Sequence, residues 1–77
     1  MIEKTIDFWC EKGKSQLDRK EYEESISSYK KAIRYTKNDN LRILLILREL
    51  AFGYHFIKDF EEATLVLERA LIIAKNS

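Results

Sequence analysis

Cys10 and His55 are the two side chains with the most versatile chemistry in this chain, and each residue type occurs once. A thiol beside an imidazole can serve as nucleophile and base, but these two residues fall in different halves of the sequence. A reactive pair would need both on one surface, with a thiol whose reactivity follows the histidine's titration. Next to Trp9, Cys10 reads instead as a packed structural thiol. One thiol excludes an internal disulfide framework, and one Cys with one His excludes a Cys/His metal set. The acid pairs Glu23-Glu24 and Glu61-Glu62 open predicted helices, where carboxylates favour the positive end of the dipole. Gly13 and Gly53 are isolated, so no phosphate-cradling loop is present. Lys12, Lys14, Arg19 and Lys20 are interleaved with Glu11, Asp18 and Glu21, and the net charge is +1. That field is too nearly cancelled for a nucleic-acid partner. Lys30, Lys31 and Arg34 read as a solvated face. No catalytic residue, metal ligand or cofactor is assigned, and an enzyme is not expected.

The elements that position these residues follow from the breakers and the periodicity. The chain has 77 residues, 45% hydrophobic and 35% charged, which suits one small globular domain over 1–77. No run of eighteen apolar residues is present, so no membrane span is expected. The N-terminus lacks the apolar stretch of a signal peptide, and a reducing, cytoplasmic setting is the expectation. Absence of proline, with only two glycines, argues against strands joined by tight turns. Polar clusters at Asp18-Arg19-Lys20, Lys37–Asn40 and Lys58-Asp59 divide the sequence into helical stretches at about 5–17, 21–37, 41–57 and 60–75. Tyr22, Ile26, Tyr29 and Ile33 recur at one-face spacing, as do Leu47, Leu50, Ala51 and Tyr54. Thr5 and Asn40 are the expected N-caps. The fold class is all-α, with four antiparallel helices.

A shift of thirty-eight positions lays Lys20-Glu21-Tyr22-Glu23-Glu24-Ser25 over Lys58-Asp59-Phe60-Glu61-Glu62-Ala63. Downstream, Tyr29 meets Leu67, Ala32 meets Ala70 and Ile33 meets Leu71. Upstream, Trp9 meets Leu47, Gly13 meets Ala51 and Gln16 meets Tyr54. Two amphipathic helices alone would share an apolar face but not also the Lys-acid-aromatic-Glu-Glu lead-in, so the chain is two copies of one helix–turn–helix unit. The pattern resembles the tetratricopeptide repeat family. Trp9, Gly13, Tyr22, Ser25, Tyr29 and Ala32 stand in the motif's large and small positions in copy one; Leu47, Leu50, Ala51, Tyr54, Phe60, Ala63, Leu67 and Ala70 do so in copy two. Repeat one spans about 6–39 and repeat two about 44–77. Lys12 and Gln16 replace the usual Leu and Tyr, Lys37 and Lys75 replace the closing proline, and about four extra residues fall near Lys37–Leu41 or lengthen a helix there.

The resemblance implies a non-catalytic protein–protein interaction module. In that family the first helix of each unit lines a concave groove for ligand peptides, which places Lys14, Leu45, Arg48, Phe52, His55 and Phe56 along it. At 100° per residue, Leu45, Phe52 and Phe56 fall within about 40° of one another. Packing between the repeats is the alternative role for Phe52 and Phe56. From residue 41 onward 22 of 37 residues are hydrophobic, against 13 of the first 40. Leu65, Val66, Ile72 and Ile73 stand where copy one has Ser27, Ser28, Arg34 and Tyr35. An apolar outer face on a terminal repeat needs cover, and self-association, with a dimer favoured, is the expectation. Two alternatives stay open: a purely structural self-assembling unit, and a fragment of a longer repeat array.

Overall fold

The computed structural model describes residues 5–36 and 39–76. Lys37 and Asn38 of the middle polar cluster, the lead Met1–Lys4 and Ser77 lie outside them. Four helices follow in order: α1 (Ile6–Asp18), α2 (Tyr22–Tyr35), α3 (Asn40–Phe56) and α4 (Phe60–Lys75). α1 packs on α2 and α3 on α4 as two hairpins, and α2 on α3 joins them.

The two hairpins turn in the same way, thirty-eight positions apart. Lys20 and Lys58 take left-handed backbone, with φ of 64° and 66°. Glu21 N–H donates to the Gln16 carbonyl, and Asp59 N–H to the Tyr54 carbonyl, each at 2.8 Å. These bonds satisfy carbonyls that the ending helix leaves open. α3 is 17 residues long against 13 for α1. Relative to the repeat, the excess is one added turn at its N-terminal end.

Thr5 caps α1 as expected, its hydroxyl accepting from Phe8 N–H. At α3 the cap is Asp39, not the expected Asn40, which is the first helical residue. The Asp39 carboxylate accepts from Arg42 N–H at 3.1 Å and adds negative charge at the helix start.

The core is drawn from every helix: Trp9 of α1; Ile26, Tyr29 and Ala32 of α2; Ile46, Leu47, Leu50 and Tyr54 of α3; Ala63 of α4. Small residues set the crossings. A Cβ on Gly13 would lie 2.8 Å from the Tyr29 ring, and one on Gly53 would lie 2.8 Å from Ile26 Cγ1. Gly13 therefore serves the α1–α2 crossing, where its repeat counterpart is Ala51. Gly53 serves the crossing between the repeats and has no glycine counterpart. The buried Ser25 hydroxyl donates to the Gly13 carbonyl at 2.7 Å, and the Ser28 hydroxyl donates to Gln16 Oε1 at 2.6 Å. The counterparts of that second pair are Val66 and Tyr54.

Candidate partner-binding groove

α1 and α3 lie on one side of the molecule, with the α2 residue Tyr29 between them. Along α1, the spacing of Cys10, Glu11 and Lys14 puts all three on the side toward α3. Along α3, Arg42, Leu45, Ile46, Arg48 and Glu49 face them across a depression of about 470 Å³. Tyr29 and Ile46 are almost wholly buried and make an apolar floor, while Leu45 is half exposed on the wall.

Charge is arranged around this floor in pairs. Arg42 donates to Asp7 of α1 across the gap, and its guanidinium also lies 4.0 Å from Asp39. Arg48 meets Glu49 at 3.4 Å. Burial pushes the Cys10 thiol above its ordinary range, against the opposing pull of Arg42. The thiol is therefore neutral near pH 7, which suits a wall residue and not a nucleophile. Tyr29 is pushed up to about 12, first by burial and then by Glu49, Cys10 and Asp18. An apolar floor with mixed charges on its rim can hold an apolar side chain and orient a polar backbone. Among the described residues no group of three His, Cys, Asp or Glu side chains converges in a way that could hold a metal ion.

Of the groove residues expected from sequence, Lys14, Leu45 and Arg48 line this depression, and Phe52, His55 and Phe56 do not. The Phe56 ring stacks on Tyr22 of α2, with centroids 4.8 Å apart and planes 14° from parallel. The His55 ring sits edge-on to Phe60 at 5.4 Å. Both belong to the end of α3 where the repeats meet, which favours the inter-repeat role for Phe56, though half of its surface stays exposed. Phe52 is 47% exposed, two turns beyond Leu45 on the same helix face. Cys10 and His55 are not brought together. Cys10 lies near Arg42 and Ile46, and His55 is nine residues past Ile46, about 13 Å along the helix.

Arg42 and the floor residues Tyr29 and Ile46 were not foreseen in this role. Arg42 falls in the added first turn of α3, and its counterpart under the thirty-eight-residue shift, Lys4, lies outside the described residues. Tyr29 and Ile46 read as core from their spacing, and they are core; they serve the groove because their upper edges face it.

The four α4 residues expected to form one self-association patch are divided. Val66 and Ile73 are half-buried against the core, whereas Leu65 and Ile72 are 53% and 60% exposed. At 100° per residue, Val66 and Ile73 turn toward α3 with Ala63 and Ala70, and Leu65 and Ile72 lie about 100° around the helix from them. Leu67, a core position of the motif, is 53% exposed.

Residues 6–39 match the family model of the tetratricopeptide repeat. That segment is a tetratricopeptide repeat. The four-helix arrangement fits two of them, the second being α3 and α4. No curated protein and no solved structure gives a significant match to the chain. Tetratricopeptide repeats are in general non-catalytic modules for protein–protein binding. Among the described residues no helix is long and apolar enough to cross a membrane.

Proposed function

We propose that this tetratricopeptide repeat chain is a non-catalytic cytoplasmic adaptor. It binds a short protein segment in the groove between α1 and α3, and it pairs with a second copy of itself through α4. The observation that carries the first half is the groove itself: a Tyr29–Ile46 floor, a half-exposed Leu45, and Lys14, Arg42 and Arg48 around it. Lys14 is the rim cation for which no ion pair is recorded among the described residues, so it is the one placed to meet an acidic group on the ligand. Phe52 extends the apolar wall for a longer ligand. Self-association is supported by the apolar side chains that α4 leaves exposed.

Selection of displayed random peptides against the purified chain, followed by calorimetric titration of the winners, tests the groove. Leu45→Glu and Lys14→Glu should each weaken a selected peptide on the order of tenfold or more, with an unchanged thermal melt. Phe52→Ala should weaken only peptides long enough to reach it. Failure to recover any saturable peptide would leave the purely structural, self-assembling reading in place of the adaptor.

A further inference from the structure

We infer that two copies of this chain pair antiparallel about a two-fold axis through the stripe Phe60, Thr64, Leu67 and Leu71 of α4. This deepens the self-association half of the function proposed above and is independent of the groove. Four observations lead to it.

First, the stripe repeats a face that already takes a helix inside the molecule. Its members are the counterparts of Tyr22, Ile26, Tyr29 and Ile33 of α2, the helix that packs on α3. Ile26, against Gly53 of α3, is 8% exposed and Tyr29, against Gly13 of α1, is 4% exposed, whereas Phe60, Leu67 and Leu71 are 54%, 53% and 56% exposed. The same spacing is thus satisfied once and left open once.

Second, the opposite end of the molecule does not match it. The α3 residues Ile46, Leu50 and Gly53 are buried, with Gly53 directly beneath Ile26 of α2. Their counterparts on α1 are Phe8, Lys12 and Ser15, and all three are exposed. The Lys12 ammonium lies over that face, 5.4 Å from the Trp9 ring and 6.0 Å from the Phe8 ring. Head-to-tail stacking would bury this ammonium against leucines, which is costly without a partner charge.

Third, the stripe complements itself. Its steps of four, three and four read the same in both directions. Antiparallel pairing centred between Leu65 and Val66 therefore sets Phe60 opposite the second copy's Leu71 and Thr64 opposite its Leu67. Such an isologous contact closes at two copies and leaves no further binding end.

Fourth, the area suffices for a weak dimer. Half of a large side chain is on the order of 100 Å², so the six in a pair supply roughly 600 Å². Contacts of that size, below about 1,000 Å², belong with weak and transient pairs. The pair should therefore form in the micromolar range.

Sedimentation velocity of the full chain across micromolar concentrations tests this, with circular dichroism confirming that each variant stays helical. The expected result is a monomer–dimer equilibrium that Leu67→Glu/Leu71→Glu weakens on the order of tenfold or more and Leu65→Glu/Ile72→Glu leaves intact. Oxidation of a Cys10→Ser/Thr64→Cys/Leu67→Cys variant should link position 64 of one copy to position 67 of the other. A dimer broken by the Leu65 and Ile72 changes alone, or links joining identical positions, overturns the stripe and its antiparallel sense while self-association stands. Species growing beyond the dimer and abolished by Phe8→Glu would establish head-to-tail stacking instead. A wild-type monomer at every concentration removes self-association itself.

Discussion

Ser28 and Gln16 illustrate how much one buried hydrogen bond can decide. Both side chains are within a tenth of full burial, and a 2.6 Å bond joins them. Ser28→Ala removes the donor and strands the glutamine oxygen, at a cost of about 1–3 kcal/mol. Gln16→Leu/Ser28→Ala removes both polar groups and should cost less than the single change, as urea titration of both variants will read. A double variant weaker than the single would mean that packing, not the stranded acceptor, governs the site. Tyr29 gives a second expectation. Its phenol rises to about 12 in the folded chain from an ordinary value of 10.0. Below pH 10 both folded and unfolded phenols are neutral, and the contribution is fully present. As pH climbs from 10 toward 12 the unfolded phenol loses its proton first, and stability falls. Tyr29→Phe should flatten the difference in stability across that window, measured against wild type by denaturant titration at each pH. Parallel curves for the two proteins would refute the cause assigned to Tyr29.

The crossing of α2 over α3 depends on a missing methyl group. Alanine is the better helix former by about 1 kcal/mol, yet a Cβ at position 53 would meet Ile26 Cγ1 at 2.8 Å. Overpacking of this kind costs about 1–3 kcal/mol, so Gly53→Ala should be neutral to destabilising in the natural chain. In an Ile26→Ala background the obstruction is gone, and the same change should stabilise through its helix propensity alone. The sign reversal between the two backgrounds is the measurement, made by thermal or chemical melts. Equal effects in both backgrounds would show that the helices slide apart to make room. The Phe56–Tyr22 stack adds a second contact at this junction.

The buried core is continuous across the two hairpins. Ile26 of α2 is covered by α3, with Gly53 directly against it, and the buried set draws on all four helices. Repeat units of this kind gain stability from their neighbours. A peptide of residues 1–39 should accordingly show no cooperative thermal transition by circular dichroism, although it carries the whole matched repeat. A sharp transition at the melting temperature of the full chain would mean that the repeats fold independently, and the α2–α3 junction would then be a contact between finished domains.

Helix number, hairpin equivalence and the repeat were legible in the sequence because each rests on local pattern. Apolar spacing, breaker placement and the Lys-acid-aromatic-Glu-Glu lead-in are carried by neighbours in the chain, and the matched turns at Lys20 and Lys58 follow from them. Through the motif's register the sequence also pointed to Lys14, Leu45 and Arg48, which line the depression between α1 and α3. Tertiary structure decided the rest. Arg42 reaches Asp7 only because an added turn extends α3 over α1. Phe56 and His55 lie in ring contact with Tyr22 and Phe60, away from that depression. On α4, periodicity defines which residues share a face but not which face meets α3. That choice depends on where the hairpin turn points the helix, and it turned Val66 and Ile73 inward while leaving Leu67 and Leu71 exposed. A face is a property of one helix; its burial is a property of two.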